Sequence, residues 1–320
     1  MKLPHLPIAI PLFSGLLLGL SALTAGAAVI DLSKPVSESL TPSGLYWKFD
    51  EGAVGQSTPS ATDHSGNGYN GTLTPSDTGG LPVRTEGRFG MGVQIDRTSG
   101  ATPNALDPSV YWGATAAGGN ASGLDFAAGG AFTAGLWLKL DAIDTGANQL
   151  IYLIERGVFV FRNTTQGATQ RNFFSLQMNK WNNDTWTLNL HLGDGINPTV
   201  SIGAGKAFSD PSNLDWHHIG FSLETIEGGS RVRFYLDGNL LGEGIVDYTM
   251  ADLIATNGTE RQVRVGERNA SSYGSAFNGS VDEVFITSGV HTFMIPEPGS
   301  VALLSLAGLG VVVARKALCK

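Results

Sequence analysis

The sequence predicts an all-β protein, built as a two-sheet antiparallel sandwich. From residue 45 to 287 the dominant pattern is an alternation of apolar and polar residues with a period of two, which is typical of half-buried strands. The 320 residues include 43 glycines and 14 prolines, and only 15% are charged, which favours a turn-rich β protein over a helical one. No long helical segments alternate with the strands, which disfavours a parallel α/β fold. Short antiparallel strands with one buried face pack as two stacked sheets.

The clearest strands form a predicted hairpin, in which residues 174–179 and 186–192 alternate strictly on either side of a polar turn at 180–185. A second tight turn is predicted at Asp237-Gly238. Residues 99–131 are rich in Gly, Ala, Ser and Asn and predict a long loop, and loops of that length are often functional or mobile. Further strands are predicted at 45–50, 91–96, 132–141, 150–154, 157–162, 216–224, 231–236, 262–266 and 280–287, with one short helix near 249–256.

The first 27 residues have the layout of a secretory signal peptide. Lys2 precedes an apolar run over residues 8–23, and Ala25-Gly26-Ala27 is a small-x-small cleavage site. The alternative is an uncleaved anchor helix, which two prolines in this segment disfavour. We therefore expect export, with cleavage after Ala27 or Ala28.

The C-terminal end carries Pro296-Glu297-Pro298, an apolar run over residues 300–314 and then Arg315 and Lys316. The run is shorter than the roughly 20 apolar residues that span a bilayer comfortably, so it suits a transient crossing. The basic pair is expected to stay on the cytoplasmic side. A plain C-terminal membrane anchor is the alternative.

This layout resembles the PEP-CTERM sorting signal. The resemblance implies recognition by an exosortase-type enzyme, which would cleave near Pro296-Glu297-Pro298. It also implies a place in the envelope or extracellular matrix of a Gram-negative bacterium that makes exopolysaccharide, with at least transient membrane contact through the tail. We accordingly divide the chain into a signal peptide (1–27), a linker (28–44), a sandwich domain (45–290) and a sorting segment (291–320).

Charge and cysteine content exclude several classes of partner and site. The net charge is −8, and without the +1 of Lys2 and the +3 of Arg315, Lys316 and Lys320 the central region carries −12. Such an acidic body repels phosphate backbones, so we expect no nucleic acid partner. Cys319 is the single cysteine, so the chain can form neither an internal disulfide nor a multi-cysteine metal site.

Segments along the central region carry a family resemblance when they are taken in order. They are residues 45–52, 63–73, 132–140, 216–219, 235–238, 265–267 and 277–284. Together they resemble the LamG-like group (laminin G type 3) of concanavalin A-like domains. The resemblance implies a jelly-roll sandwich over residues 45–287, and Leu45, Trp47 and Phe49 are expected to fill its core from one face of a strand.

A calcium ion is the predicted cofactor. The loop from Asp63 to Asn70 offers carboxylate and amide oxygens, which calcium prefers. The resemblance implies that a structural cation links Asp63 to Asp282, with Asn67 as a further candidate ligand. The alternative is that Asp63 and Asn67 make only turn hydrogen bonds.

Aromatic residues in predicted turns and loops suggest a carbohydrate site. Tyr111, Trp112, Trp181 and Tyr273 lie in Gly-, Asn- or Ser-rich or turn segments and are candidates to stack on a sugar ring. Local packing of these side chains is the alternative. A polysaccharide or a surface protein is therefore the expected ligand.

An enzymatic role is not expected. Glycoside hydrolysis needs two carboxylates roughly 5–10 Å apart across a cleft. Asp282 and Glu283 are neighbours in a predicted strand, so their side chains should point to opposite faces. His217 and His218 should diverge for the same reason and cannot share a metal. Two functions remain open, a recognition module and a structural matrix component, with a polysaccharide hydrolase as the less favoured third.

Overall fold

The computed structural model describes residues 28–57, 60–74, 81–95, 109–114, 124, 130–141, 149–156, 159–161, 169–180, 186–194, 200–208, 215–251, 261–266 and 278–296. In that part of the chain nineteen strands alternate with turns. They are β1 Val29–Asp31, β2 Leu45–Trp47, β3 Ser60–Ala61, β4 Gly71–Thr74, β5 Val83–Glu86, β6 Met91–Ile95, β7 Ser109–Ala114, β8 Ala131–Leu140, β9 Gln149–Arg156, β10 Phe159–Phe161, β11 Thr169–Lys180, β12 Trp186–Asp194, β13 Val200–Phe208, β14 His217–Ile226, β15 Gly229–Leu236, β16 Asn239–Val246, β17 Arg261–Val265, β18 Gly279–Ser288 and β19 Thr292–Met294. A 3₁₀ turn, η1, spans Val36–Glu38.

Two antiparallel sheets form the body of the molecule. The back sheet has the order β13-β12-β11-β9-β17-β7-β4-β3, with β10 beside β11. The front sheet has the order β16-β15-β14-β8-β18-β6-β5, with β2 beside β18. The all-β, two-sheet prediction is therefore confirmed, and so is the hairpin, which is formed by β11 and β12.

The core lies between the two sheets. Leu45, Trp47 and Phe49 are completely buried in it, as their alternation predicts. Phe132 of the front sheet stacks on Phe174 of the back sheet, with ring centroids 5.3 Å apart. These inner faces hold the sheets together by burying apolar surface from both sides.

A second apolar layer covers the outer side of the front sheet. The N-terminal strap, residues 28–40, contributes β1 and η1, and β1 pairs in parallel with β19. We call the buried residues of this layer the outer cluster: Ile30, Leu32, Val36, Tyr46, Trp137, Tyr235, Phe285 and Phe293. The structure thus places the strap, which we had assigned to a linker, and β19, which we had assigned to the sorting segment, in the packed domain.

The predicted turn at Asp237-Gly238 is confirmed. Both residues have positive φ (49° and 80°), and the turn joins β15 to β16. This conformation matches the twist of a two-residue hairpin, and glycine and aspartate tolerate it better than bulkier residues.

Several strands depart from the sequence interpretation. β7 lies within residues 99–131, where a loop was predicted, because Ser109–Ala114 pairs with β17 and β4. β13 was not predicted, since its glycines and small residues weaken the alternation. The helix expected near 249–256 begins at Met250, and residues 252–260 lie outside the described residues.

The predicted targeting segments fall almost entirely outside the described residues. These include Ala25 and Ala27 at one end and Glu297, Pro298, Arg315 and Lys316 at the other, whereas Pro296 is the last residue described. Among the residues that the structure does describe, no helix is long and apolar enough to span a bilayer.

Candidate ligand-binding site

Asp63 organises the early loop through hydrogen bonds to its carboxylate. Oδ1 accepts from the amides of Tyr46 (2.9 Å) and Ser65 (3.0 Å). Oδ2 accepts from the Ser65 hydroxyl (2.8 Å) and the Tyr69 amide (2.9 Å). The positive φ of Gly66 (88°) and Gly68 (77°) lets the chain turn back around this carboxylate.

Asn67 ties the same loop to the residues that directly precede β2. Its Nδ2 donates to the carbonyls of Ser43 (2.8 Å) and Gly44 (2.7 Å). These bonds, like those of Asp63, are the turn hydrogen bonds of the alternative interpretation. Across the described ranges, no three His, Cys, Asp or Glu side chains converge as a metal site. Calcium binding stays a prediction.

Asp282 lies at a bulge in β18. Asp282 pairs with Trp137 and Phe285 pairs with Gly135. Between these two pairs β18 has one residue more than β8. The extra residue, Glu283, has a φ of 51°.

The bulge changes where the two acidic side chains point. Oδ2 of Asp282 accepts from the Phe89 amide (2.9 Å), and Oε2 of Glu283 accepts from the Val36 amide (2.7 Å). Since Phe89 and Val36 both belong to or pack against the outer cluster, both carboxyls lie on the outer side of the front sheet. The expectation of opposite faces was therefore wrong, because the bulge interrupts the alternation.

Both carboxyls are completely buried. Burial raises the pKa of Asp282 to about 8, and burial also raises the pKa of Glu283. Oε1 of Glu283 is a buried oxygen with no hydrogen-bond partner in the described part of the chain. That orphaned oxygen belongs to the residue after Asp282, so one acceptor without a donor lies next to a predicted ligand in the sequence. The Asp63 and Asp282 carboxylates, however, are held by different donors.

The predicted sugar-stacking residues are only partly placed. Tyr111 and Trp112 lie in β7, at register positions opposite Arg264 and Val263 of β17. Trp181 and Tyr273 lie outside the described residues. The prediction that Tyr111 and Trp112 belong to a loop was wrong, since they are part of a paired strand.

A pocket on the outer side of the front sheet brings other aromatic and polar residues together. It encloses about 410 Å³. Its walls are Arg88, Trp137, Asp215, Trp216, His217, Asp237 and Ile295.

Strands and turns of the front sheet position most of the walls. Trp137 projects from β8, and Arg88, from the turn between β5 and β6, lies over its ring with Cζ 4.8 Å from the centroid. Asp237, in the β15–β16 turn, lies 2.7 Å from Nδ1 of His217, measured from its Oδ2. Oδ1 of Asp237 also accepts from the His218 amide (2.8 Å), which fixes the carboxylate against β14.

Trp137 contributes an unusual donor. The side chain is 2% exposed, and its Nε1 has no hydrogen-bond partner among the described residues. A buried indole N–H normally finds a partner.

The pocket was missed at the level of sequence. Trp137, Trp216 and Asp237 all fall in segments that carry the family resemblance, and we interpreted those segments as markers of fold. The available signal was the aromatic and acidic character of these positions, but nothing in their spacing indicates that they meet on one face.

Similarity to known proteins agrees with this architecture. The family described as the concanavalin A-like lectin/glucanases superfamily (laminin G type 3) matches residues 113–292, which is more than half of the chain. The chain belongs to this superfamily. No curated protein matches the sequence.

Several solved structures resemble this concanavalin A-like chain at low identity. The binding domain of botulinum neurotoxin DC in complex with rat synaptotagmin II is 13% identical, with a TM-score of 0.47 over 81% of this chain and 50% of that one. The Ruminococcus gnavus IT-sialidase CBM40 bound to alpha2,3 sialyllactose is 13% identical, with a TM-score of 0.34 over 50% of this chain and 76% of that one. The chain thus spans about half the length of the toxin domain, and the likeness concerns fold alone.

Proposed function

We propose that this chain is an exported surface protein whose concanavalin A-like domain recognises carbohydrate through the pocket on the front sheet. A surface protein is the alternative ligand. The signal peptide and the C-terminal motif support delivery to the envelope or matrix of a Gram-negative bacterium. In this proposal an exosortase-type enzyme processes the tail, which enters the membrane at least transiently.

The observation that carries the proposal is the pairing of two indoles with polar groups in one pocket. Ligand pockets combine apolar and aromatic walls with a few placed polar groups that fix orientation. Trp137 and Trp216 supply the aromatic walls, and Arg88 and Asp237 supply a donor and an acceptor at the rim. Vicinal hydroxyls of a sugar can donate to a carboxylate and accept from a guanidinium at once.

A glycan array probed with the full chain tests this function. Arg88→Ala and Trp216→Ala are expected to weaken binding at least about tenfold, or about 1.4 kcal/mol. Arg231→Ala is the matched control, because Arg231 is a partly exposed arginine that pairs with Glu224 away from the pocket walls. Equal binding by the Arg88 and Arg231 variants would refute the assignment of the pocket.

The export and sorting steps have a separate test. Mass spectrometry of protein recovered from the producing cell is expected to find an N-terminus at or next to Ala28 and a C-terminus near Pro298. Glu297→Ala should leave the tail attached. Recovery of an intact chain with both ends from the cytosol would contradict this part of the proposal.

We propose no catalytic role. Asp282 and Glu283 are completely buried and bonded to main-chain or tyrosine donors, which argues against direct contact with a substrate. Loss of polysaccharide turnover on replacing Asp282 would favour the hydrolase alternative.

A structural matrix role is the second candidate, supported by one edge of the front sheet. Within the described residues β16 pairs on one side only, with β15, and it exposes Leu240 (55%) and Ile245 (63%). Exposed edge strands with apolar residues favour strand-to-strand association. Analytical ultracentrifugation of the wild type and of Ile245→Lys tests this candidate. If the chain self-associates through β16, the lysine should reduce the associated fraction.

A further inference from the structure

The C-terminal segment of the domain is itself a wall of the pocket. Ile295 lines the pocket and is 49% exposed, and it directly follows β19. The next residue, Pro296, begins the predicted sorting motif. The residue that precedes this motif therefore lies at the pocket itself.

This segment is held in place by contacts on two sides. The ring of Phe293 is buried against Tyr235, with centroids 5.0 Å apart, and against His218 at 4.5 Å. On the strap side, the Leu32 amide donates to the Met294 carbonyl (2.8 Å). Docking of residues 292–295 thus depends on both the outer cluster and the strap.

The turn that carries Asp237 also touches this segment. Gly238 lies so close that a Cβ added to it would be 3.0 Å from both the Ile295 nitrogen and the Met294 Cα. Asp237, one residue earlier, is the pocket carboxylate that contacts His217. One turn therefore connects the polar wall of the pocket to the start of the tail.

We propose that carbohydrate binding in the pocket and docking of the C-terminal segment stabilise each other. This inference rests on the proposed function, because it concerns the same pocket. A ligand that contacts Ile295 binds more weakly when residues 292–295 are displaced. By linkage, the bound ligand must shift the equilibrium of residues 292–295 toward the docked state by the same factor by which docking raises its affinity. Occupancy of the pocket then stabilises the docked position of residues 292–295.

Two glycines provide a matched test. Gly228 and Gly238 both have a φ of 80° in hairpin turns, but a Cβ at Gly228 meets nothing within 4 Å. Gly228→Ala and Gly238→Ala therefore carry similar backbone strain. The Gly238 variant alone pushes on Met294 and Ile295.

The first readout is hydrogen exchange of the Leu32 amide in the full chain, which reports docking without any ligand. Gly238→Ala is expected to accelerate this exchange about tenfold or more relative to Gly228→Ala. The second readout is calorimetric titration with trisaccharides of glucose, galactose, mannose and N-acetylglucosamine. The trisaccharide that binds the wild type is expected to bind Gly238→Ala about tenfold more weakly than Gly228→Ala, and to slow Leu32 exchange in the wild type.

Ile295→Gly removes the side chain that forms this wall without straining a turn. It is expected to weaken binding of the same trisaccharide. Failure of every trisaccharide to bind the wild type would overturn the proposed function and this coupling with it. Equal affinities for the two glycine variants, with unchanged Leu32 exchange on adding sugar, would overturn the coupling while leaving the proposed function standing.

Discussion

The hydroxyl of Tyr46 donates a 2.6 Å hydrogen bond to Oε2 of the buried Glu283. The same oxygen accepts from the Val36 amide of the strap. Glu283 is the residue with positive φ at the bulge. Its carboxyl is held by one side chain and one amide from distant parts of the chain. The contact joins β2, β18 and the strap on the outer side of the front sheet.

Tyr46→Phe removes the hydroxyl and keeps the ring. We expect it to lower the free energy of unfolding by about 1–3 kcal/mol, because a buried acceptor loses a donor. Urea denaturation measures the change. Glu283→Gln and the double variant complete a cycle, and strictly additive effects would mean that the two side chains do not interact.

The strap supplies a second prediction about stability. Ile30 is completely buried in the outer cluster, whereas its neighbour Val29 is 46% exposed. Ile30→Ala should destabilise the domain by about 2–5 kcal/mol, the range for emptying a well-packed apolar site. Val29→Ala is the control and should change stability by no more than about 0.5 kcal/mol. Similar, small effects of both changes would mean that the strap is the linker we first expected.

The same strap illustrates what the sequence could and could not predict. The hairpin of β11 and β12 and the turn at Asp237-Gly238 follow from local pattern, because strict alternation and a turn dipeptide are contained in one short stretch. β1 has three residues, too few for alternation to be recognised. Its burial depends on pairing with β19, which is far away along the chain.

The candidate site was harder to predict for a related reason. The bulge at Glu283 lies inside a run whose apolar and polar residues predict an ordinary strand, and only the pairing with β8 reveals the extra residue. The pocket assembles residues from β8, β14, two turns, the segment before β14 and the segment after β19, so no local motif records it. What the sequence did contain was the residue types, and the fold determined which of them meet.

His218 predicts a pH dependence of stability. It is completely buried, both ring nitrogens have no hydrogen-bond partner among the described residues, and burial lowers its pKa to about 3, against a weaker opposing effect of Asp237. In the unfolded chain its pKa returns to about 6.5. The unfolded state therefore binds the proton between these two values, and the stabilising effect of neutral His218 is present above pH 6.5 and is lost as the pH falls toward 3.

The measurement is urea denaturation over a series of pH values. Between about pH 6 and pH 4, His218 should contribute about 1.4 kcal/mol per pH unit to the slope of the free energy of unfolding. His218→Phe should remove that part of the slope, whatever its effect on stability at neutral pH. His64→Gln, at a partly exposed histidine (39%), is the control for removing an imidazole outside the core, and the two changes in slope are compared. An unchanged slope in the His218 variant would show that the ring binds its proton equally well in the folded and unfolded states.

Calcium removal provides the last prediction. A cation that links Asp63 to Asp282 binds the folded state alone, so EDTA should lower the melting temperature and added calcium should restore it. Asp63→Ala destabilises the loop in any case, because four hydrogen bonds to its carboxylate are lost. The informative quantity is therefore the difference in melting temperature with and without EDTA, which should vanish in both Asp63→Ala and Asp282→Ala. A wild-type melting curve that EDTA leaves unmoved would assign Asp63 to its turn hydrogen bonds alone.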